Sequence, residues 1–206
     1  TRYLAATPLS ANQITFISLL FGLASAVVFS FGEYHWDLWG GIFLFVMYLL
    51  DHCDGEVARI KGQNSRSGAM FDTFVDWITH AAIFIGLGMG SQFALGHDWM
   101  NAAGWIAAAG ATINYGIALY GDIQKLKAES ASATQDTEPS DSPERPENWK
   151  EAILFAFREL ARADFWLIIL GLCVVDVVWY ILPFVAIGAH AYWIAALFTR
   201  HNNYRV

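Results

Sequence analysis

The sequence predicts an all-α integral membrane protein, a bundle of six transmembrane helices with both termini cytoplasmic, and three observations carry that reading. Of 206 residues, 56% are hydrophobic and only 15% charged, against roughly 25% charged in a typical soluble domain. The mean hydropathy is +0.38, and the nine Trp suit a chain whose rings gather at membrane interfaces. Apolar segments near the ~20 residues that a 30 Å bilayer core demands follow one another along the whole chain. A single domain over residues 1–206 is expected.

The first span, Ala11 to Phe31, and the fourth, Trp99 to Tyr120, carry no charge and are rich in small residues that let helices approach closely. The fifth and sixth, Phe165 to Ile181 and Leu182 to Thr199, form one apolar stretch too long for a single span, with a hairpin bend expected near Pro183. The second and third, Trp36 to Ile60 and Ser67 to Gly90, are apolar for most of their length yet hold Asp51, Asp54, Glu56, Arg59, Asp72 and Asp76.

The twelve Lys and Arg set the orientation. They lie before span one, between spans two and three, between spans four and five, and after span six. The alternate loops hold none, so the positive-inside rule places both termini in the cytoplasm. The chain opens at Thr1 without a basic-then-apolar leader, so targeting is expected to come from the spans themselves. The segment 128–148, rich in Ser, Thr, Pro and acids, reads as a flexible cytoplasmic linker. After it, Trp149, Ile153, Leu154, Phe157 and Leu160 recur at helical spacing, as in an amphipathic surface helix. A net charge of −7 excludes a nucleic-acid partner, which needs clustered cations. Cys53 and Cys173 make no disulfide framework.

Four carboxylates in two adjacent spans require compensation, because an ionised Asp at the centre of a membrane helix costs roughly 2.5–3.5 kcal/mol on insertion scales. Helical spacing places Asp51, Asp54, Gly55 and Ala58 on one stripe and Gly68, Asp72 and Asp76 on another. Folding the two spans antiparallel about the polar turn Lys61 to Arg66 pairs Ala58 with Gly68, Asp54 with Asp72 and Asp51 with Asp76. The two small residues then leave room for a ligand or a close helix contact. The acids lie about 10–20 Å inside the turn at ~1.5 Å per residue. Such an oxygen-rich cluster suits Mg²⁺ or Mn²⁺ held together with substrate phosphates.

Written out, the run Asp51-x-x-Asp54-Gly55-x-x-Ala58-Arg59, then eight residues, then Gly68-x-x-x-Asp72-x-x-x-Asp76 resembles the signature of the CDP-alcohol phosphotransferases, membrane enzymes with six transmembrane helices. The resemblance implies transfer of a substituted phosphate from a CDP-linked donor to the hydroxyl of an acceptor alcohol, with release of CMP, in phospholipid synthesis and with two divalent ions. It implies metal-binding roles for Asp51, Asp54, Asp72 and Asp76, with Asp76 also taking the hydroxyl proton. It implies a nucleotide site at Gly55, Ala58, Arg59 and Gly68, bordered by Asn12 and Thr15 at the start of span one. The run Leu50 to Glu56, with Lys61 and Ser65, is similar to the branch of di-myo-inositol phosphate type. That similarity adds a soluble inositol-phosphate diester, made from a CDP-polyol, as an alternative product.

Plainer readings stand beside these. The acids could form a polar bundle interior neutralised by Arg59 and Lys61, and Arg59 could be a snorkelling interface cation. Glu56 would meet headgroups or Lys61. His52 and Cys53 read as packing residues. His190 and Asp176 would line an acceptor path or bond between helices. The Gly- and Ala-rich third and fourth spans offer faces suited to a homodimer. From another class, buried acids also mark the ion paths of a divalent-cation or proton-coupled transporter. The expected site, by contrast, opens only to the cytoplasm of a cell-membrane enzyme, and the apolar halves Gly40 to Leu49 and Ala81 to Gly88 seal the far side.

Overall fold

The computed structural model describes the backbone of residues 1–131 and 165–202, and among these every regular element is helical. A one-turn helix α1 (Arg2–Ala5) leads into four long helices, α2 (Ala11–Phe29), α3 (Tyr34–Ile60), α4 (Arg66–Leu95) and α5 (Asp98–Ala131). Later come α6 (Phe165–Val174), a 3₁₀ turn (Val178–Ile181) and α7 (Leu182–Asn202). Three helical stretches are long and apolar enough to cross a membrane, Ala11–Phe29, Arg66–Leu95 and Asp98–Gly121. The charges of α3 keep it out of that class, although its 27 residues reach about 40 Å.

Local chemistry sets the ends. Ser10 caps α2 through a reciprocal box with Gln13, satisfying two otherwise orphaned donors. Ser65 caps α4 by accepting from the Gly68 N–H at 3.0 Å. Gly96 ends α4 in the left-handed conformation at φ 68°, a terminus glycine adopts without a Cβ penalty. Thus α4 runs past the expected end at Gly90, and α2 stops at Phe29, short of Phe31.

The hairpin expected at Pro183 forms elsewhere. Helix α6 ends at Val174, and the chain turns at Asp176, whose φ is 59°. Pro183 instead sits in the first turn of α7, where its missing N–H is no loss and its fixed φ is already helical. Helix α5 also continues through Ala131, into the stretch expected to be linker, since Ala, Lys and Glu propagate a helix readily. The rest of that linker and the expected amphipathic segment lie outside the described residues.

Helix α2 is the keystone. Both α3 and α4 pack along it, while α3 and α4 scarcely touch each other. The antiparallel α3–α4 hairpin expected to pack directly is therefore a cleft, with α2 as its back wall. Close approach of α2 to α4 rests on missing side chains. A Cβ on Gly22 would meet Thr79 Cγ2, one on Gly86 the Ala26 carbonyl, and one on Gly90 the Phe29 carbonyl. Helix α4 reaches α5 in the same way, with Gly88 against Gly104 Cα. Gly86, Gly88, Gly90 and Gly104 are thus taken up within the bundle, while Gly116 on α5 meets open space.

Polar groups inside the bundle are mostly paired between helices, as a lipid-facing protein requires. Trp193 Nε1 donates to His190 Nδ1 at 3.0 Å, which leaves Nε2 as the donor to the Ile106 carbonyl at 3.0 Å. Asn114 Nδ2 donates to the Ala189 carbonyl, and Trp77 Nε1 to Thr112 Oγ1. His190 is therefore an interhelix tie, whereas Asp176 is exposed at its turn. Asp37 is one of the exceptions, with Thr79 Oγ1, Asn101 Oδ1 and Asp72 Oδ1. It is fully buried in the first turn of α3, and both its carboxyl oxygens lack a hydrogen-bond partner; the positive end of the α3 dipole offsets part of that charge. Between Asp37 and the acids of the cleft lies an apolar core containing Leu44, Met47, Ile83, Phe84 and Leu87.

Gly90→Ala is expected to place a methyl group against the Phe29 carbonyl and to destabilise the bundle by about 1–3 kcal/mol, the usual range for overpacking. Gly171→Ala meets open space and is expected to hold or raise stability. Thermal unfolding of the two variants in one detergent checks the contrast.

Candidate active site

Three helical ends build the site. The start of α2 supplies Asn12 and Thr15, the last two turns of α3 supply Asp54, Gly55, Ala58 and Arg59, and the start of α4 supplies Gly68 and Asp72. All eight line one open cavity of about 470 Å³, within the roughly 300–1,000 Å³ usual for small-molecule sites. The polar turn closes one side with Gln63, Asn64, Ser65 and Arg66. Asp51 and Asp76 are not among the lining residues; each lies one helical turn or so deeper than its neighbour Asp54 or Asp72.

The aspartates converge across the cleft. One carboxylate oxygen from each of Asp51, Asp54 and Asp72 lies within 4.8 Å of the others. Asp76 adjoins Asp51 one turn deeper. The expected pairings of Asp54 with Asp72 and Asp51 with Asp76 are thus met by side chains reaching over a gap. Ala58 and Gly68 both line the cavity, so the room they leave is open space in the cleft.

Burial sharpens the electrostatics. Asp54 is 4% exposed and Thr15 likewise 4%. The Thr15 hydroxyl lies 2.6 Å from Asp54 Oδ2 and 3.1 Å from the Ala11 carbonyl. Its single proton favours the carboxylate, because charge-assisted bonds are shorter and stronger. Asp72 Oδ1 is buried with no partner. Leaving a buried acceptor unsatisfied costs about 1–3 kcal/mol, more for a charged one, so the cluster is built for something it does not itself contain. A divalent cation fits. Metal–oxygen bonds of about 2.1 Å put opposite oxygens ~4.2 Å apart, and small carboxylate rotations close the present spacing to that value.

The two signature glycines differ in kind. A Cβ on Gly68 would stand 3.0 Å from Ser65 Oγ and 3.2 Å from Asn12 Oδ1, so this glycine packs. A Cβ on Gly55 would meet nothing within 4 Å. Glycine inside a helix costs roughly 1 kcal/mol relative to Ala, and no protein neighbour of Gly55 accounts for it.

The cations sit differently from the neutralising role considered for them. Lys61 donates to the Thr7 carbonyl at 2.7 Å and the Leu9 carbonyl at 2.6 Å, and forms no ion pair with Glu56 or the aspartates. Arg59 is exposed at the cavity wall. His52 lies against Tyr48 with ring centroids 4.2 Å apart and the planes tilted by 50°, and its Nδ1 is 3.8 Å from Asp51 Oδ2. Gln63 and Asn64 had no marker in the sequence beyond lying in a polar turn. Ser65 could have been found as a cap ahead of an apolar run.

Fold and site together define a helical protein of membrane type in which an acidic, cation-suited centre adjoins a cavity bounded by two helix N-termini. A family model for CDP-alcohol phosphatidyltransferase matches residues 9–135, and the chain belongs to that family. All the candidate site residues fall inside the matched region. The chain is 34% identical over 107 residues to a bifunctional IPC transferase and DIPP synthase of Rubrobacter xylanophilus, covering 52% of this chain and 23% of that protein. It is 30% identical over 107 residues to a phosphatidylinositol phosphate synthase of Mycobacteroides abscessus, covering 51% and 44%. Over 87 residues it is 32% identical to an archaetidylinositol phosphate synthase of Pyrococcus horikoshii, covering 42% and 45%. The matches thus span less than half the length of each of these relatives.

Two substitutions separate binding from folding. Gly55→Ala is expected to raise or hold thermal stability while weakening nucleotide binding, since its methyl group occupies ligand space. Thr15→Val keeps the shape but removes the bond to Asp54, and is expected to raise the Mg²⁺ concentration for half-maximal nucleotide binding by roughly tenfold, the equivalent of about 1.4 kcal/mol. Calorimetric titration with CMP at several Mg²⁺ concentrations reads both.

Proposed function

We propose that this chain transfers a substituted phosphate from a CDP-linked lipid donor, of the CDP-diacylglycerol kind, to the hydroxyl of an inositol phosphate, releasing CMP, in phospholipid synthesis. One observation carries the reading: four aspartates meet beside a cavity whose wall holds Gly55 with nothing packed on it. The inositol phosphate acceptor is drawn from the names of the relatives, one a phosphatidylinositol phosphate synthase and one an archaetidylinositol phosphate synthase. A CDP-polyol donor giving a soluble diester is the second reading, favoured by the DIPP synthase among the same relatives.

In this reading Asn12, Thr15, Gly55, Ala58, Arg59 and Gly68 receive the nucleotide. Asp51, Asp54, Asp72 and Asp76 hold two divalent ions, Mg²⁺ or Mn²⁺, whose charge when bound offsets that gathering on the leaving CMP. The small residues admit the donor without a clash, and Arg59 meets phosphate at the rim. Asp76 accepts the proton as the acceptor oxygen bonds to the outer phosphorus of the donor. The bond from that phosphorus to the CMP oxygen breaks, and CMP departs as the anion. Thr15 keeps Asp54 turned toward the cavity throughout.

The cation pattern orients the enzyme as a multi-pass protein of the cell membrane, with six spans, cytoplasmic termini and the cavity open to the cytoplasm. A transporter would instead need a polar route through the core around Leu44, Ile83 and Leu87.

Asp76→Asn is expected to lower CMP release by roughly 100- to 10,000-fold, the usual contribution of a positioned general base, while CMP still binds in Mg²⁺. Asp54→Asn is expected to lose both. Release of CMP from CDP-diacylglycerol with inositol phosphate, measured beside a CDP-polyol donor, checks the substrates. Full activity in Asp76→Asn would sink the mechanism.

A further inference from the structure

The cavity mouth is held together by contacts that no catalytic residue makes. Because α3 and α4 scarcely touch, the distance between the Gly55–Ala58 wall and the Gly68 wall depends on how the α3–α4 turn is tied to the start of α2. Two side chains make that tie. Lys61, the residue at which α3 ends, sends its ammonium to the carbonyls of Thr7 and Leu9 at 2.7 and 2.6 Å. Gln63 Oε1 accepts the Ala11 N–H at 2.9 Å, so it satisfies a free donor in the first turn of α2. The turn thus fastens the α1–α2 connection from both ends, and the helix so fastened carries Asn12 and Thr15. Thr15 in turn reaches Asp54, while Asn12 Oδ1 lies where a Gly68 Cβ would crowd it.

We infer that Lys61 is a positioning residue: with Gln63 it latches the segment ahead of α2 to the α3–α4 turn and sets the width of the nucleotide cavity. The inference rests on the nucleotide reading proposed above for its functional consequence, but the latch itself is a property of the ligand-free chain. An ammonium suits the task, since two carbonyls converge on it and each charge-assisted bond is stronger than a neutral one. Methionine in its place would fill the stem's volume while leaving both carbonyls without a donor.

The test uses the full chain in nanodiscs, as wild type, Lys61→Met, Lys61→Arg and Gln63→Met. Hydrogen exchange without ligand reads the latch: residues 7–12 are expected to lose protection by about tenfold or more in Lys61→Met, to lose less in Gln63→Met, and to regain it in Lys61→Arg, with the α5–α7 packing unchanged. Unchanged protection of 7–12 in both Met variants would overturn the inference. Steady-state kinetics reads the consequence, with a rise in donor KM of roughly 10- to 100-fold in Lys61→Met, the loss falling on KM rather than kcat, and rescue by Arg. Protection lost without any change in KM or in CMP affinity would also overturn it. Should Lys61→Met fail to fold, Gln63→Met decides alone on the same readouts. If wild-type protein binds no CMP in Mg²⁺, the nucleotide reading falls, while the exchange data still judge the latch.

Discussion

The arrangement rests on the contact of α2 with α4, where backbone meets backbone at Gly86 and Gly90 and the Thr79 side chain seats on Gly22, because these glycines have no side chains. In lipid the hydrophobic effect gives little reason for helices to associate, so close packing over small residues takes its place. With α2 set between α3 and α4 as a back wall, those two helices are held apart by about the reach of two aspartate side chains. A closer approach would bury the carboxylates against each other, and a wider one would leave four unrelated acids. Thr15, on the same wall, then sets the orientation of Asp54.

That geometry explains why so polar a centre is tolerated at membrane depth. Thr15 holds the Asp54 carboxylate by a hydrogen bond, whereas Asp72 Oδ1 is buried without a hydrogen-bond partner and faces the other acids across the cleft. The cations that might have neutralised the cluster are engaged or displaced, Lys61 by backbone carbonyls and Arg59 by its place at the rim.

Much of this was legible in residue order. Each expected span starts within two residues of a described helix, because caps such as Ser10 and Ser65 and the lengths of the apolar runs are local signals. The pairing of the aspartates followed from helical spacing alone. What misled was tertiary. Antiparallel register predicted contact between α3 and α4, but register says nothing of a third helix lying between them. Pro183 looked like a bend because proline punctuates chains, yet the first turn of a helix accepts it, and Asp176 turns the chain instead. The sequence alone does not reveal which glycines of α4 and α5 are already in use: Gly86, Gly88, Gly90 and Gly104 are packed within the bundle, whereas Gly116 and Gly121 meet open space. Buried Asp37 gave no warning, being a single acid beside an interface-like stretch of aromatics.

The cavity is also electrically lopsided. The positive ends of α2 and α4 open on it where only the negative end of α3 answers them, and four carboxylates crowd the opposite, inner floor. A molecule entering from the water therefore crosses from a region that favours anions to one that tolerates them only beside a metal ion. In the function proposed above, that layout turns a nucleoside diphosphate with its counterion end-on before any base or sugar is recognised, and orientation becomes a property of the backbone's layout as much as of individual side chains.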